Sequence, residues 1–441
     1  MTEESSSGPT IRRFDVNRRK FIKYSGASAS GTLLAGCNEG GGGASTPVGD
    51  FEDYTFKIGV LAPQPEDHVY GRSMVNGVRI AVDEIRADGG ILGGDIDVVV
   101  GDTEFQPALG RQEHRRLTFD ENVDVVIGPM FTSVMLGMME SLGEQETLQF
   151  TPATGASMTE LIEDDYERFK YAFRASLPNV DVMTDWAMEF FRDKADDFGW
   201  DTVALINEDQ AAVAEFHRRI TDRLPEVVDM PIAKKIVGVK NWGPIFDEVE
   251  EVGADLLYLN AVVLGRSIVR QWGNQQRDFE LGGFNLFGSL PSYYENLNGT
   301  PEYHWSLMFV MAGSSNTEYT QPFTQTYNDR TGEFPVYNAY LCYDAVRMYA
   351  QAVEETGSTE EEVLIPHLED DFLFEESTAV KYVEFQGPDD PYTHDAKYTT
   401  IEEMNMPVFF QWQEDDQGNG TQEIFYPPDQ QTSEFQKPHW L

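Results

Sequence analysis

Two adjacent hydroxyl side chains, Thr132 and Ser133, stand where a short apolar run ends and a helical pattern begins. The apolar run is 123–127, and it reads as a buried strand. The first backbone N–H groups of a helix have no partner within the helix, so a hydroxyl beside them completes a pocket for an anion. Serine and threonine also serve as ordinary helix caps, and the pattern alone leaves both roles open.

Motifs of catalytic and nucleotide-binding sites are missing from the sequence. It has no P-loop, GxGxxG, HExxH or GxSxG pattern, and its 7 histidines show no metal-binding spacing. Two of the 76 acidic residues could form an acid/base pair, as in a glycosidase, but such a pair means little in so acidic a chain. We therefore expect no enzyme, no cofactor and no metal, and a carboxylate-dependent secreted hydrolase is the weaker alternative.

The charge balance narrows the possible partners. The chain of 441 residues has 76 acidic and 32 basic residues, a net charge of −44, and its 41% hydrophobic content is enough to build a core. A surface of this sign repels nucleic acid. Because acidic residues are spread over all segments and multimolar salt screens their repulsion, the composition predicts a protein of an extreme halophile rather than one with an acidic tail.

The elements that must position Thr132 and Ser133 alternate between strand and helix. Apolar runs at 56–61, 96–100, 123–127 and 148–150 predict strands, and helical patterns separate them. A second series, after Phe173-Arg174, has predicted strands at 202–206, 236–239 and 255–259. Such alternation predicts two parallel sheets with helices on both faces.

The last third of the chain has a different pattern. A long helix, apolar on one side, is predicted at 337–355 and contains Cys342. The run Lys381–Phe385 reads as a strand, and residues 413–441 are expected to form a C-terminal tail. The chain has only two cysteines, too few for a disulfide framework.

The N-terminus carries the signals of an exported protein. Arg18 and Arg19 lie in a segment that resembles a twin-arginine export signal, followed by an apolar stretch that is too short to span a bilayer. This stretch ends at Cys37 in a Leu-Ala-Gly-Cys sequence that resembles a lipoprotein cleavage box. We expect residues 1–36 to be a signal peptide and residues 37–52 a flexible linker, anchored to the membrane through lipid on Cys37.

Several segments together resemble a known family. In chain order they are Lys57–Gly94, Asp124–Pro129, Thr151–Thr154, Ala254–Leu259 and Tyr340–Ala345. Over about 53–412 the chain resembles the leucine/isoleucine/valine-binding family of ABC-importer substrate-binding proteins, which have the type I periplasmic binding fold. The resemblance implies an α/β fold with two doubly wound parallel-sheet lobes joined by three crossovers. It places lobe 1 at 53–173 plus 312–385 and lobe 2 at 174–311 plus 386–412.

The resemblance also implies a cleft between the lobes and names residues that line its lobe 1 side. In this family the position of Ser133, with Thr132 beside it, contacts the carboxylate of the ligand. Thr154 follows the next strand, although the loop here is one residue shorter than the family pattern. Tyr70 matches a tyrosine whose ring lines the cleft. A cap, a loop residue or a surface tyrosine is the alternative for each of these residues.

On the lobe 2 side the chain departs from the family pattern. Asn285 stands where an acidic residue usually pairs with the ammonium group of the ligand, and Asn260 replaces one of the usual tyrosines. A buried ammonium needs a charged partner. Either Glu208 or Asp209 supplies it, or the solute is not an α-amino acid, so amides, urea-like compounds and carboxylates remain open.

These features predict an extracytoplasmic solute-binding lipoprotein. Its expected partners are a small polar solute, the permease of an ABC importer and, through Cys37, the outer face of the cytoplasmic membrane of a halophilic archaeon. We expect a monomer that binds no nucleic acid. A ligand-sensing co-receptor on the same fold is the alternative. Asn298 and Asn419 fit the N-glycosylation pattern, which is too common to decide modification.

Overall fold

The computed structural model describes residues 51–210 and 213–441 of the chain. The predicted signal peptide, with Arg18, Arg19 and Cys37, lies outside the described residues. All described residues belong to one compact unit, Thr46–Leu441. Within this part of the chain, no helix is long and apolar enough to cross a membrane.

The first sheet has five parallel strands in the order β2-β1-β3-β4-β5. Its strands are β1 (Thr55–Ala62), β2 (Asp95–Asp102), β3 (Val125–Ile127), β4 (Gln149–Thr151) and β5 (Ala172–Arg174). The helices between them are α1 (Val69–Ala87), α2 (Pro107–Arg115), α3 (Thr132–Gln145), α4 (Ala156–Asp164) and α5 (Tyr166–Phe169). Helices cover both faces, so β1 and β3 are almost entirely apolar and buried.

The second sheet has seven strands in the order β12-β11-β10-β9-β8-β6-β7. Its parallel strands are β6 (Thr202–Glu208), β7 (Asp229–Ile236), β8 (Leu256–Ala261), β9 (Glu280–Asn285) and β10 (Trp305–Met308). The helices of this part are α6 (Val180–Phe198), α7 (Ala214–Arg223), α8 (Gly243–Glu251), α9 (Gly265–Gln275) and α10 (Tyr293–Asn296). Two antiparallel strands, β11 (Val408–Glu414) and β12 (Gly420–Tyr426), complete one edge.

The remaining helices lie between β10 and β11. They are α11 (Thr320–Thr331), α12 (Tyr337–Thr356), α13 (Glu361–Asp370) and α14 (Ile401–Met404). Helix α12 returns to the first sheet and packs along α1. A Cβ at Gly77 would lie 2.3 Å from the carbonyl oxygen of Ala339, so this close approach of α1 to α12 requires glycine.

The predicted α/β architecture with two doubly wound parallel sheets is confirmed, but the last third differs from prediction. The predicted strand at Lys381–Phe385 is wrong, because Val383 and Phe385 form only isolated bridges with other loop residues. Part of the expected C-terminal tail forms β12, and Phe425 and Tyr426 are buried there. Beyond β12, the ring of Phe435 stacks on that of Phe198 at 4.3 Å.

The chain passes between the sheets three times, and a buried ion pair joins two of these passages. Arg174 ends β5 and Asp395 precedes β11, and their side chains are 0% and 1% exposed. Arg174 Nε donates to Asp395 Oδ1 at 2.7 Å, and Asn179 Nδ2 donates to Asp395 Oδ2 at 2.6 Å. Arg174 also donates to Thr159 Oγ1 at 2.9 Å and to the carbonyl oxygen of Ala153. A buried charge tolerates the low dielectric of the core only with such partners.

A second buried carboxylate, that of Asp344 in α12, lies against the same passages. It accepts hydrogen bonds from the hydroxyls of Ser176, Ser377 and Thr378 at 3.1, 2.6 and 2.8 Å. Burial raises the pKa of Asp344 to about 6, although these hydrogen bonds act in the opposite direction. The amide of Asn316 ties the remaining passage, donating to the carbonyl oxygens of Phe309 and Ala379.

Removing the charge of Asp395 should destabilise the whole fold. In Asp395→Asn the guanidinium of Arg174 stays buried without its counter-charge, and we expect the free energy of unfolding to fall by about 3–5 kcal/mol. Asp83→Asn is the matched control, because the Asp83–Arg330 pair lies on the surface and should contribute less than about 1 kcal/mol. Denaturant unfolding measures both. Equal effects of the two substitutions would contradict this role of Asp395.

Candidate functional site

The carboxyl ends of the parallel strands in the two sheets face each other. Tyr70 lies in the first turn of α1, just after β1, and Leu286 directly follows β9. The Tyr70 hydroxyl donates to the carbonyl oxygen of Leu286 at 2.8 Å, and Tyr70 is fully buried at this contact. Open α/β sheets bind ligands beyond the carboxyl ends of their strands, so this interface is the candidate site.

Tyr70, one of the predicted site residues, is held in place by its neighbours along the chain and in α12. Nδ1 of His68 caps α1 by accepting from the Tyr70 N–H at 3.3 Å. Asn338 donates its Nδ2 to the Tyr70 carbonyl oxygen at 3.0 Å. A Cβ at Gly71 would lie 2.0 Å from the Pro63 carbonyl oxygen, so only glycine allows this approach of the helix to the loop after β1.

Thr132 and Ser133 are the first residues of α3, after β3, and Thr154 lies in the loop that follows β4. The buried hydroxyl of Thr132 accepts from the Gly155 N–H at 3.0 Å and so joins α3 to this loop. Ser133 is exposed, and its side chain makes no hydrogen bond with a described residue. Thr154 is half-buried, and its carbonyl oxygen accepts from the Val180 N–H at 2.7 Å. Of the three residues, Ser133 is the one whose hydroxyl is both open and at a helix start.

Glu208 supports a loop in the second sheet. Its Oε2 accepts three backbone N–H groups, those of Val262, Val263 and Leu264, at 2.8, 2.7 and 3.0 Å. These groups precede α9, so the carboxylate compensates the positive end of that helix. A solute ammonium would have to compete with these three donors. Asp209 is exposed, and its backbone N–H donates to Ile236.

The side-chain amide of Asn285 is also hydrogen-bonded to neighbouring residues. Its Oδ1 accepts from the Gly288 N–H at 3.2 Å, and its Nδ2 donates to the Tyr293 hydroxyl at 3.0 Å. The Tyr293 hydroxyl in turn donates to the Gly265 carbonyl oxygen at 3.1 Å. Asn285 therefore joins the end of β9 to the start of α9, using both atoms of its amide.

Asn260 has a different environment from Glu208 and Asn285. It is 0% exposed at the carboxyl end of β8, and neither its Oδ1 nor its Nδ2 has a hydrogen-bond partner among the described residues. Its register partner on β6 is Asn207, whose Oδ1 is also without a described partner, while Nδ2 contacts His217 Nδ1. An unpaired buried amide is costly, so these atoms stand out among the polar groups at the strand ends.

Half-buried rings from both sheets surround the Tyr70–Leu286 contact. We call His68, Phe105, Phe131 and Phe287 the aromatic rim. His68 lies 4.9 Å from Phe105 and Phe105 lies 5.1 Å from Phe131, between ring centroids. Phe287 comes from the second sheet and lies 5.9 Å from the ring of Tyr70.

The site residues predicted from the sequence do not include His68, Asn207, Phe287 or Arg266. The guanidinium of Arg266 lies 5.0 Å from the centroid of the Phe287 ring. Burial first, and then Arg266 and Arg72, lower the pKa of His68. Asn207 adjoins Glu208, so the strand-end rule could have found it, whereas Arg266 has no local signal in the sequence.

No group of three or more His, Cys, Asp or Glu side chains in the described part of the chain is arranged to hold a metal ion. The polar atoms at the interface include amides, hydroxyls and backbone N–H groups. Such groups fix the orientation of a small molecule by hydrogen bonding.

Comparison with protein families and curated proteins identifies the family of this chain. The family described as periplasmic binding protein matches residues 55–416. A curated relative, the Leu/Ile/Val-binding protein BraC3 of Rhizobium johnstonii, is 33% identical over 104 residues, which are 23% of this chain. The match spans only 28% of the length of BraC3.

Solved structures share the fold over most of the chain. A putative branched-chain amino acid ABC transporter protein from Silicibacter pomeroyi has a TM-score of 0.73 at 18% identity, covering 88% of this chain and all of that one. LivJ of Streptococcus pneumoniae, in complex with isoleucine, has a TM-score of 0.66 at 17% identity and coverages of 85% and 100%. An R. palustris solute-binding protein in complex with 4-hydroxybenzoate has a TM-score of 0.68 at 17% identity and coverages of 84% and 96%.

Glu208 should contribute to stability through the turn before α9. In Glu208→Gln a neutral oxygen replaces the charged acceptor of three N–H groups, and we expect a loss of about 1–3 kcal/mol in the free energy of unfolding without solute. Asp209→Asn is the control, because it removes the same charge from an exposed neighbour and should change stability by less than about 0.5 kcal/mol. Loss of solute affinity with unchanged stability would instead identify Glu208 as a solute contact.

Proposed function

Because this chain belongs to the periplasmic binding protein family, whose members act outside the cytoplasm, we propose that it captures a small solute there and delivers it to the permease of an ABC importer. The solute binds in the cleft between two lobes. Lobe 1 consists of 53–173 plus 312–385, and lobe 2 of 174–311 plus 386–412. The strand β12 extends the sheet of lobe 2. The known relatives are solute-binding proteins of transporters rather than enzymes.

The observation that carries this proposal is the hydrogen bond from the Tyr70 hydroxyl to the Leu286 carbonyl oxygen, which joins the carboxyl ends of the strands in the two sheets. It brings two independent parallel sheets together at the edges where such sheets bind ligands. A solute that contacts both edges would favour the closed arrangement by its higher affinity for it. The importer would then recognise the closed form.

Several groups at these edges support a site for a polar solute. On lobe 1, the open hydroxyl of Ser133 lies beside the first N–H groups of α3, next to Thr132, with Thr154 in the adjoining loop. On lobe 2, the unpaired amide of Asn260 offers two N–H donors and one acceptor oxygen. Glu208, Asp209 and Asn285 support these loops or lie beside them.

The solute class includes amino acids, amides or urea-like compounds, and carboxylates. Among proteins of similar fold, one was solved with isoleucine and another with 4-hydroxybenzoate. The fold therefore accommodates both zwitterions and aromatic carboxylates, and the side chains of this cleft must select between them.

The position of the protein in the cell is part of the proposal. A twin-arginine signal with Arg18 and Arg19 would export the folded chain, and lipid on Cys37 would hold it as a monomer at the outer face of the cytoplasmic membrane. The linker 37–52 would let it reach the permease. The charge of −44 supports function in multimolar salt, where repulsion between carboxylates is screened.

A solute should both stabilise and close the protein. We expect at least one compound in a panel of amino acids, amides and carboxylates to raise the melting temperature by several degrees in multimolar salt, because a ligand at 100 times its Kd adds about 2.7 kcal/mol. X-ray scattering with that compound should show a smaller radius of gyration than without it. Superimposable scattering profiles would contradict closure.

The substitution Tyr70→Phe tests whether the contact between the lobes contributes to solute affinity. It removes the lobe 1 hydroxyl that donates to the Leu286 carbonyl oxygen, which costs roughly 1 kcal/mol and should weaken solute binding about five-fold. Tyr294→Phe is the control, because the Tyr294 hydroxyl donates to Glu414 within one lobe. Calorimetry on both variants should show weaker binding only for Tyr70→Phe.

A further inference from the structure

On the lobe 2 side of the cleft, the buried carboxylate of Glu208 is already hydrogen-bonded, whereas the guanidinium of Arg266 has no ion-pair partner among the described residues. Glu208 is 5% exposed, and Oε2 already accepts three backbone N–H groups. Arg266 follows directly in the first turn of α9 and is exposed. No carboxylate of the described residues lies within ion-pair distance of its guanidinium, although the chain carries 76 acidic residues.

Arg266 faces lobe 1. Its guanidinium lies over the ring of Phe287, which contacts the ring of Tyr70 in lobe 1. The charge of Arg266 also acts on His68 of lobe 1 and contributes to lowering the pKa of His68. The second charge that acts on His68 is Arg72, another arginine. Both charges that act on His68 are therefore positive, in a protein whose net charge is −44.

The aromatic rim provides an apolar surface next to this cation. The rings of His68, Phe105, Phe131 and Phe287 are all half-buried and so still present area to a bound molecule. Phe105 has φ = 60° and Glu104 before it has φ = 44°. Left-handed backbone at a bulky residue is unfavourable and persists where surrounding contacts impose it. Here it brings the Phe105 ring against His68 and Phe131.

We propose that the solute is a carboxylate anion with an apolar, ring-sized body and no ammonium group. Its carboxylate binds Arg266, and its body lies against the aromatic rim. This inference rests on the solute-binding function proposed above and specifies the class of solute.

An amino acid fits these charges poorly. Its ammonium group would approach Arg266 and Arg72, while Glu208 is held by three N–H donors and Asn285 offers only a neutral amide that is already bonded. A simple carboxylate meets no such repulsion, and guanidinium binds it through two parallel hydrogen bonds. Multimolar salt screens the repulsion from the acidic surface but acts less on this short-range contact.

Matched probes can test the solute class by calorimetry on the full chain in multimolar salt. Benzoate and benzamide have the same size and differ in charge, and phenylalanine adds an ammonium group to a ring and a carboxylate. We expect benzoate to bind at least about ten-fold more tightly than benzamide or phenylalanine, as a charge-assisted hydrogen bond predicts.

Variants of Arg266 then assign the contact. Arg266→Gln should lower the affinity for benzoate at least about ten-fold and leave the affinity for benzamide unchanged. The benzoate affinity of Arg266→Lys should lie between those of the unsubstituted protein and Arg266→Gln. Arg79→Gln is the control, since Arg79 is also exposed and without an ion pair among the described residues but lies further along α1. The melting temperatures of the solute-free variants verify folding.

The outcomes separate this inference from the proposed function. If leucine or benzamide binds as tightly as benzoate and closes the protein in scattering, the solute-binding function stands and the carboxylate class is wrong. Unchanged benzoate affinity in Arg266→Gln also overturns the role of Arg266. If no probe of any class binds or changes the scattering, the solute-binding function itself is contradicted.

Discussion

A fully buried guanidinium, that of Arg174, constrains how the two sheets are joined. Its charge can stay in the core only because Asp395, 221 residues further along the chain, lies beside it with Asn179 and Thr159. Arg174 ends the last strand of the first sheet, and Asp395 precedes a strand of the second. The requirement to pair these charges therefore fixes two passages of the chain at once.

The other buried polar groups extend this constraint around the passages. Asp344 and Asn316 bind loop residues from the same region through hydroxyls and carbonyl oxygens. Far fewer polar contacts cross the strand-end edges, where Tyr70 reaches Leu286 and rings fill the space. In the proposed closure, rotation about the passages would separate these strand ends while leaving the buried network intact.

Some polar side chains at the strand ends hydrogen-bond the loops and hold them in place, whereas others have no hydrogen-bond partner among the described residues. Glu208 and Asn285 satisfy backbone N–H groups that would otherwise be unpaired, and they hold the start of α9 against β8 and β9. This is how the first turn of α9, which carries Arg266, obtains a fixed position. The side chain of Asn260 on β8 has no such partner, and the equally buried Asn207 lies beside it on β6. The residues that support the loops and those proposed to bind the solute are thus different members of one short set.

The sequence by itself determined the two parallel sheets, because apolar runs such as 56–61 and 255–259 can be buried only as central strands, and this pattern is local. It also pointed to the strand ends, where Tyr70, Thr132, Ser133 and Asn260 lie. Only the tertiary structure decided what each side chain does there. The partners of Glu208 lie 54 to 56 residues away, and the partner of Arg174 lies 221 away, so no local pattern contains them. For the same reason the run Lys381–Phe385 has the composition of a strand but no neighbouring strand to pair with. Arg266 is identified as a candidate only from the folded structure, in which its charge acts on His68.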